Sequence, residues 1–93
     1  NDTLCTNAGK RAREVAKKFS HTRPDGTKCF TVITISFTSA AENIAKGQTS
    51  PAEVMDSWMN SDGHRKNILS PDYCQIGVGY DEASGSWVQI FTD

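Results

Sequence analysis

The stretch CQIGVGYDEASGSWVQIFTD, Cys74 to Asp93, decides the fold. Ile76, Val78 and Tyr80 alternate with Gly77 and Gly79, which is the two-residue period of a strand. Ser84 and Gly85 supply a turn, and Trp87 to Phe91 runs back, so the segment reads as a β-hairpin. The two glycines leave one strand face bare, which predicts close packing by another element.

Upstream, SPAEVMDSWMN (Ser50–Asn60) carries the clearest helix start. Ser50 is placed to cap, Pro51 fits the first helical position, and Glu53 completes a capping box. Val54, Met55 and Trp58 form its buried stripe. SDGHRKNIL (Ser61–Leu69) reads as a second short helix, opened by Ser61 or Asp62, with Ile68 and Leu69 inward. SAAENIAKG (Ser39–Gly47) reads as another, with Ser39 as N-cap and Gly47 as stop. CFTVITISF (Cys29–Phe37) is rich in β-branched residues and is expected to be a short strand. TRPDGT (Thr22–Thr27) is a turn. Ahead of it, Leu4, Ala8, Ala12, Val15 and Phe19 recur at steps of three and four, predicting a helix that ends near Ser20. Helices followed by an antiparallel hairpin predict an α+β fold, helices stacked on a small antiparallel sheet, in one domain over residues 1-93.

Ten Lys and Arg against eleven Asp and Glu leave a net charge of −1, which argues against nucleic acid as a partner. The basic run Lys10, Arg11, Arg13, Lys17 and Lys18 reads as the solvated face of the first helix. No stretch approaches the roughly twenty apolar residues of a membrane span, and no secretory signal is read. The chain starts at Asn1 without Met and is expected to be a mature product or an excised fragment. Cys5, Cys29 and Cys74 form no CxxC pair. One disulfide with a free thiol and three reduced thiols both fit that count. Cys74 is expected to be a buried thiol beside the hairpin strand.

Two histidines stand out. His21 lies where the first helix meets the turn, and His64 in the first turn of its short helix. A histidine at a helix N-terminus is disfavoured as imidazolium, and the neutral ring binds metals and accepts protons. Glu42 is expected at the start of the short Ser39–Gly47 helix, beside Asn43, where the helix dipole favours a carboxylate. Periodicity does not bring these residues together. No HExxH, no G-x-S-x-G and no complete dinucleotide loop is present.

The ordered blocks SHTRPDG, AENIAKG, W…GHRKNIL and IGVGY resemble the bacterial branch of the CAP superfamily. This group comprises cysteine-rich secretory, antigen 5 and pathogenesis-related proteins, also called SCP-like extracellular domains. The resemblance implies an α-β-α sandwich with a cleft lined by two histidines and two acidic residues, where some members hold a divalent metal, usually zinc. His21, Glu42 and His64 fall on three of those positions and are the implied metal ligands. Ser61 occupies the fourth, and Ser61, Gly63 and Asn43 are expected to shape or support the cleft. Gly63 is expected to let the backbone turn tightly ahead of His64, with Arg65 and Lys66 facing solvent. The family usually has glycine where Ala41 stands, and its domain starts with a further helix, so the resemblance implies an N-terminally shortened domain. Apolar surface left by that helix would favour a homo-oligomer.

The implied function is a secreted, extracellular binding module for a small apolar ligand, a lipid or sterol, or for a protein partner. A zinc or other divalent ion is expected to be non-essential. The alternatives are a metal-assisted, peptidase-like hydrolase, with His64 or His21 polarising water and Glu42 as base, and a His–Glu cluster that only ties the fold together.

Overall fold

Leu4, Ala8, Ala12 and Val15 form the apolar stripe of the first helix, and none of the four is reached by solvent. The computed structural model describes residues Asn1–Asp93, and in it that stripe belongs to helix α1 (Asp2–Lys17). Asn1 caps the helix by accepting a hydrogen bond from the Leu4 amide. The stripe buries against Ile44, Val88 and Ile90 on one face of a three-stranded sheet. The strands are β1 (Ala40–Lys46), β2 (Gln75–Asp81) and β3 (Ser86–Thr92), all antiparallel, in the order β1-β3-β2. β3 is central and buried along its whole length. On the other face, Ala45 and Trp87 meet Val54 and Trp58 of helix α2 (Pro51–Met59), with Ile68 of helix α3 (Asp62–Leu69) packed beside them. The result is an α-β-α sandwich.

The bare face of the hairpin is where α1 lies. A β-carbon on Gly77 would collide with the Leu4 carbonyl group, and one on Gly79 with that of Ala8. The absence of side chains therefore lets the helix backbone rest directly on β2. Ile76, Val78 and Tyr80 point to the opposite face, where α2 and α3 do not reach, and each is about half exposed. Tyr80 offsets this by stacking on Trp87, ring centroids 4.0 Å apart.

Helix α2 starts as its sequence demands, with Ser50 accepting from the Glu53 amide and Pro51 following. The capping box is half formed, because the Glu53 carboxylate accepts from the Thr49 hydroxyl instead of the Ser50 amide.

Two segments differ from their sequence reading. The residues of Ser39–Gly47 predict a helix, yet Ala40–Lys46 is strand β1. Alanine, glutamate and lysine favour helix, but Ala41 to Ala45 are all buried, on both sides of a fully registered pairing with β3. Tertiary pairing overrides local preference here, and small alanines suit a strand covered on both faces. Gly47 ends it at a φ of 104°, a conformation open to glycine. Conversely, Cys29–Phe37 is not a strand. It forms one 3-10 turn (Cys29–Val32) and then an irregular strap. Val32, Ile33 and Ile35 pack onto the α1 core, while Asn7 of α1 accepts from the Thr34 amide. β-propensity reflects fit to a half-buried surface, and here that surface is a helix.

Smaller corrections follow the same logic. Phe19 lies beyond α1 and is 59% exposed, and Leu69 is 64% exposed instead of inward. Cys74 is exposed, Cys29 is buried, and all three cysteines are free. Gly63 sits at an ordinary helical position with open space around it, so no tight turn requires it. No helix is long and apolar enough to cross a membrane.

Candidate functional site

Arg11 is the residue that the sequence reading missed. It belongs to the basic run assigned to a solvated face, yet its side chain is completely buried. Its Nε donates to Glu42 Oε2 at 2.7 Å and its Nη2 to Glu42 Oε1 at 3.1 Å. Nη1 reaches Glu14 Oε1 at 3.0 Å, and Nη2 also donates to the Ser20 carbonyl at 2.9 Å. A buried charge survives only when paired and hydrogen-bonded, and this guanidinium meets both conditions. Position 11 lies one helical step from Ala8 and next to Ala12, so the signal was there: a cation on the apolar stripe.

Glu42 is on the same sheet face as Ile44, directed at α1. As a strand residue it has no helix dipole to favour its charge; Arg11 fills that role. Its Oε1 also lies 2.9 Å from His21 Nδ1, whose side chain is 60% exposed. His21 is held at the start of the loop after α1, where its carbonyl accepts from the Cys29 amide at 2.8 Å. The network continues outward: Glu14 accepts further bonds from Arg23, whose Nη1 donates to Thr31. Burial alone would raise the Glu14 carboxyl, but hydrogen bonds from Arg23 and Arg11 outweigh it and hold it below the usual range. For Arg11, burial opposes the charge and the bonds to Glu42 and Glu14 win, so its pKa lies above the ordinary value.

Cys29 completes this corner. Burial, with the Glu42 charge beside it, pushes its thiol up to about 12. A nitrogen of His21, the Cys29 sulfur and a Glu42 carboxylate oxygen all lie within 4.8 Å of one another.

The other sheet face carries Asn43. Its Nδ2 donates to the His64 carbonyl and to Gln89 Oε1, both at 3.1 Å, and its Oδ1 accepts from Asn67 Nδ2 at 2.8 Å. Asn43 thus pins α3 to β1. His64 turns its Nδ1 to the Ser61 hydroxyl at 2.8 Å, so Ser61, the N-cap residue of α3, holds the ring and leaves the helix amides uncapped. Burial and then the nearby His21 both lower the His64 pKa, favouring the neutral ring. Arg65 is less free than expected, donating to the Met59 carbonyl.

The predicted residues are therefore placed in two groups. His21 and Glu42 touch, with Cys29 as a third member. His64, Ser61 and Asn43 form a second group across the strand, near enough for His21 to influence His64 but outside the ligand-distance cluster. Of the three residues that the resemblance implies as metal ligands, His21 and Glu42 are in hydrogen-bond contact, and His64 lies near enough to His21 to feel its charge.

Beside His21, Cys29 and Glu42 runs an open groove of about 490 Å³, bounded by these three residues with Thr22, Lys28, Phe30, Ala40, Ala41, Asn67 and Tyr73. It follows the edge of β1 that pairs with no strand. Trp58 Nε1 closes one end of that edge by donating to the Ile44 carbonyl.

An α-β-α sandwich with His21 and Glu42 brought together from separate elements defines the class. The chain belongs to the CAP, cysteine-rich secretory protein family, whose model matches residues 1–92. It is 44% identical over 96 residues to the uncharacterized protein YkwD of Bacillus subtilis (strain 168), covering 98% of this chain and 37% of that relative. Half of it, 47 residues, is 43% identical to the uncharacterized membrane protein YlbC of the same organism, 14% of that protein. The chain thus spans well under half the length of these relatives. Among solved structures it resembles an extracellular protein containing a SCP domain from Bacillus anthracis str. Ames, with a TM-score of 0.86 and 28% identity, over 97% of this chain and 31% of that one. An outer surface protein from Borrelia burgdorferi gives a TM-score of 0.86 and 25% identity, over 100% of this chain and 74% of that one.

Proposed function

We propose that the chain is an extracellular binding module whose groove along β1 takes a small molecule with an apolar body and one polar end, of the lipid or sterol kind. The observation that carries this is the composition of the groove wall. Cys29, Phe30, Ala40, Ala41 and Tyr73 offer apolar surface, while His21, Thr22, Lys28 and Asn67 stand by as polar partners. Its volume of about 490 Å³ falls in the range of small-ligand sites, roughly 300–1,000 Å³. The extracellular setting is supported by the relatives described as extracellular or outer-surface proteins.

Hydrolysis is the weaker reading. Glu42, the carboxylate a hydrolase would use as base, is bound by Arg11 through both oxygens, and the Cys29 thiol, pushed up to about 12, stays protonated.

A fluorescent fatty acid and a fluorescent sterol are the probes to use. At least one is expected to bind with a micromolar Kd. Ala40→Trp, which fills the groove from a partly exposed strand position, is expected to weaken binding tenfold or more with Tm unchanged. Binding of neither probe, or equal binding by Ala40→Trp, would refute the reading.

A further inference from the structure

We propose that the outer face of α1 binds a linear chain of phosphate groups, held through the phosphates alone. This surface shares no residue with the groove along β1, and it does not rest on the small-ligand reading. It starts from an uneven charge distribution that the total hides. Residues 10–28 hold seven Lys and Arg against Glu14 and Asp25, a net charge of +5. The rest of the chain holds three against nine, a net charge of −6.

Burial of Arg11 sorts the basic run into two kinds of cation. Arg11 is spent inside the fold on Glu42 and Glu14. Lys10, Arg13 and Lys17 stay exposed and line one open trough of about 650 Å³ with Glu14 and Pro24. Steps of three and four residues put the three on one helix face. At 1.5 Å per residue, Lys10 and Lys17 stand about 10 Å apart along the axis, a span for a row of charges instead of a single ion. None of the three forms an ion pair. The carboxylate in the trough, Glu14, is answered twice, by Arg11 Nη1 at 3.0 Å and by Arg23 Nη2 at 2.8 Å. The trough therefore presents three free positive charges and no free negative one. Lys46 strengthens the field at the same end of α1, where its Nζ donates to the Ala16 carbonyl at 3.3 Å.

Shape and lining select the occupant. The trough is concave and no apolar side chain but Pro24 lines it, so it gives a flat lipid surface little to enter. No aromatic ring lines it either, and bases need such a platform to stack on. The charge of −6 elsewhere also repels a long nucleic acid. A flexible chain of phosphates needs only cations spaced along its path.

Fluorescence anisotropy with labelled inorganic polyphosphate, at about 50 mM salt, tests this. Three phosphate contacts on a flexible chain predict a slope of log K against log salt of about −2. The triple variant Lys10→Gln/Arg13→Gln/Lys17→Gln should weaken binding at least tenfold and flatten that slope, with Tm unchanged because all three side chains are exposed. Lys66→Gln, an equally exposed cation on α3, should change binding less than twofold. No binding of polyphosphate would overturn the proposal. So would a loss in Lys66→Gln equal to that in Lys17→Gln, which would mean diffuse attraction without a site. Inorganic phosphate that competes as well as the chain, at equal phosphate concentration, would reduce the site to a single-ion one and refute the chain. Tighter binding of a single-stranded oligonucleotide would refute the exclusion of bases. Vesicles containing phosphatidylglycerol that bind the protein, and lose it in Phe19→Ser, would assign the surface to a membrane instead.

Discussion

Arg11→Met lowers the unfolding free energy by about 3–5 kcal/mol, the cost of stripping a buried ion pair of one partner. Denaturant titration measures it. A domain of this size holds roughly 5–10 kcal/mol in all, so the variant is expected to be partly unfolded at 37 °C. The loss arises because Glu42 is left nearly fully buried with its charge unanswered. Glu14 is the lesser problem, since Arg23 still holds it. Arg11→Met/Glu42→Gln should therefore recover part of the loss, because the remaining amide is neutral and still meets His21. A double variant as unstable as the sum of the two singles would show that the pair is not coupled.

Gly79→Ala comes next in size, with an expected loss of about 3 kcal/mol, at the upper end for overpacking. The new methyl would meet the Ala8 carbonyl group and the Gly9 amide, which are backbone and do not swing aside. Helix α1 would have to lift from β2, weakening the contacts of Leu4, Ala8 and Ala12 along its length. Gly77→Ala presses the same helix against Leu4, and the double variant is not expected to fold. Gly63→Ala is the control: nothing lies near its new carbon, and alanine favours the helix, so stability should hold or rise by up to about 1 kcal/mol. Equal effects at positions 63 and 79 in thermal unfolding would contradict the packing described for α1.

These two variants also show what the sequence makes legible. The hairpin, α1 and α2 follow from period, caps and turn residues, which act locally. The alternating glycines foretold a close neighbour without naming it. β1 was hidden because Ala41, Glu42 and Ala45 prefer helix, and only the partner strand, far along the chain, reverses that preference. The strap at residues 33–37 was hidden for the opposite reason: its β-branched residues had an apolar surface to cover but no strand to pair. The family resemblance pointed to His21 and Glu42, and the fold places them in contact. Arg11 escaped notice because a cation on a helix is usually solvated.

The chain of contacts from Arg11 through Glu42 to His21 puts an imidazole at the rim of the groove, and every role given to the site depends on it. The nitrogen-15 NMR spectrum of the imidazole rings reports this directly. With Glu42 accepting from its Nδ1, neutral His21 should carry its proton on Nδ1 and leave Nε2 bare, and this pattern should disappear in Glu42→Ala. A His21 ring protonated on Nε2, with the same spectrum in both proteins, would mean that Glu42 does not hold the ring.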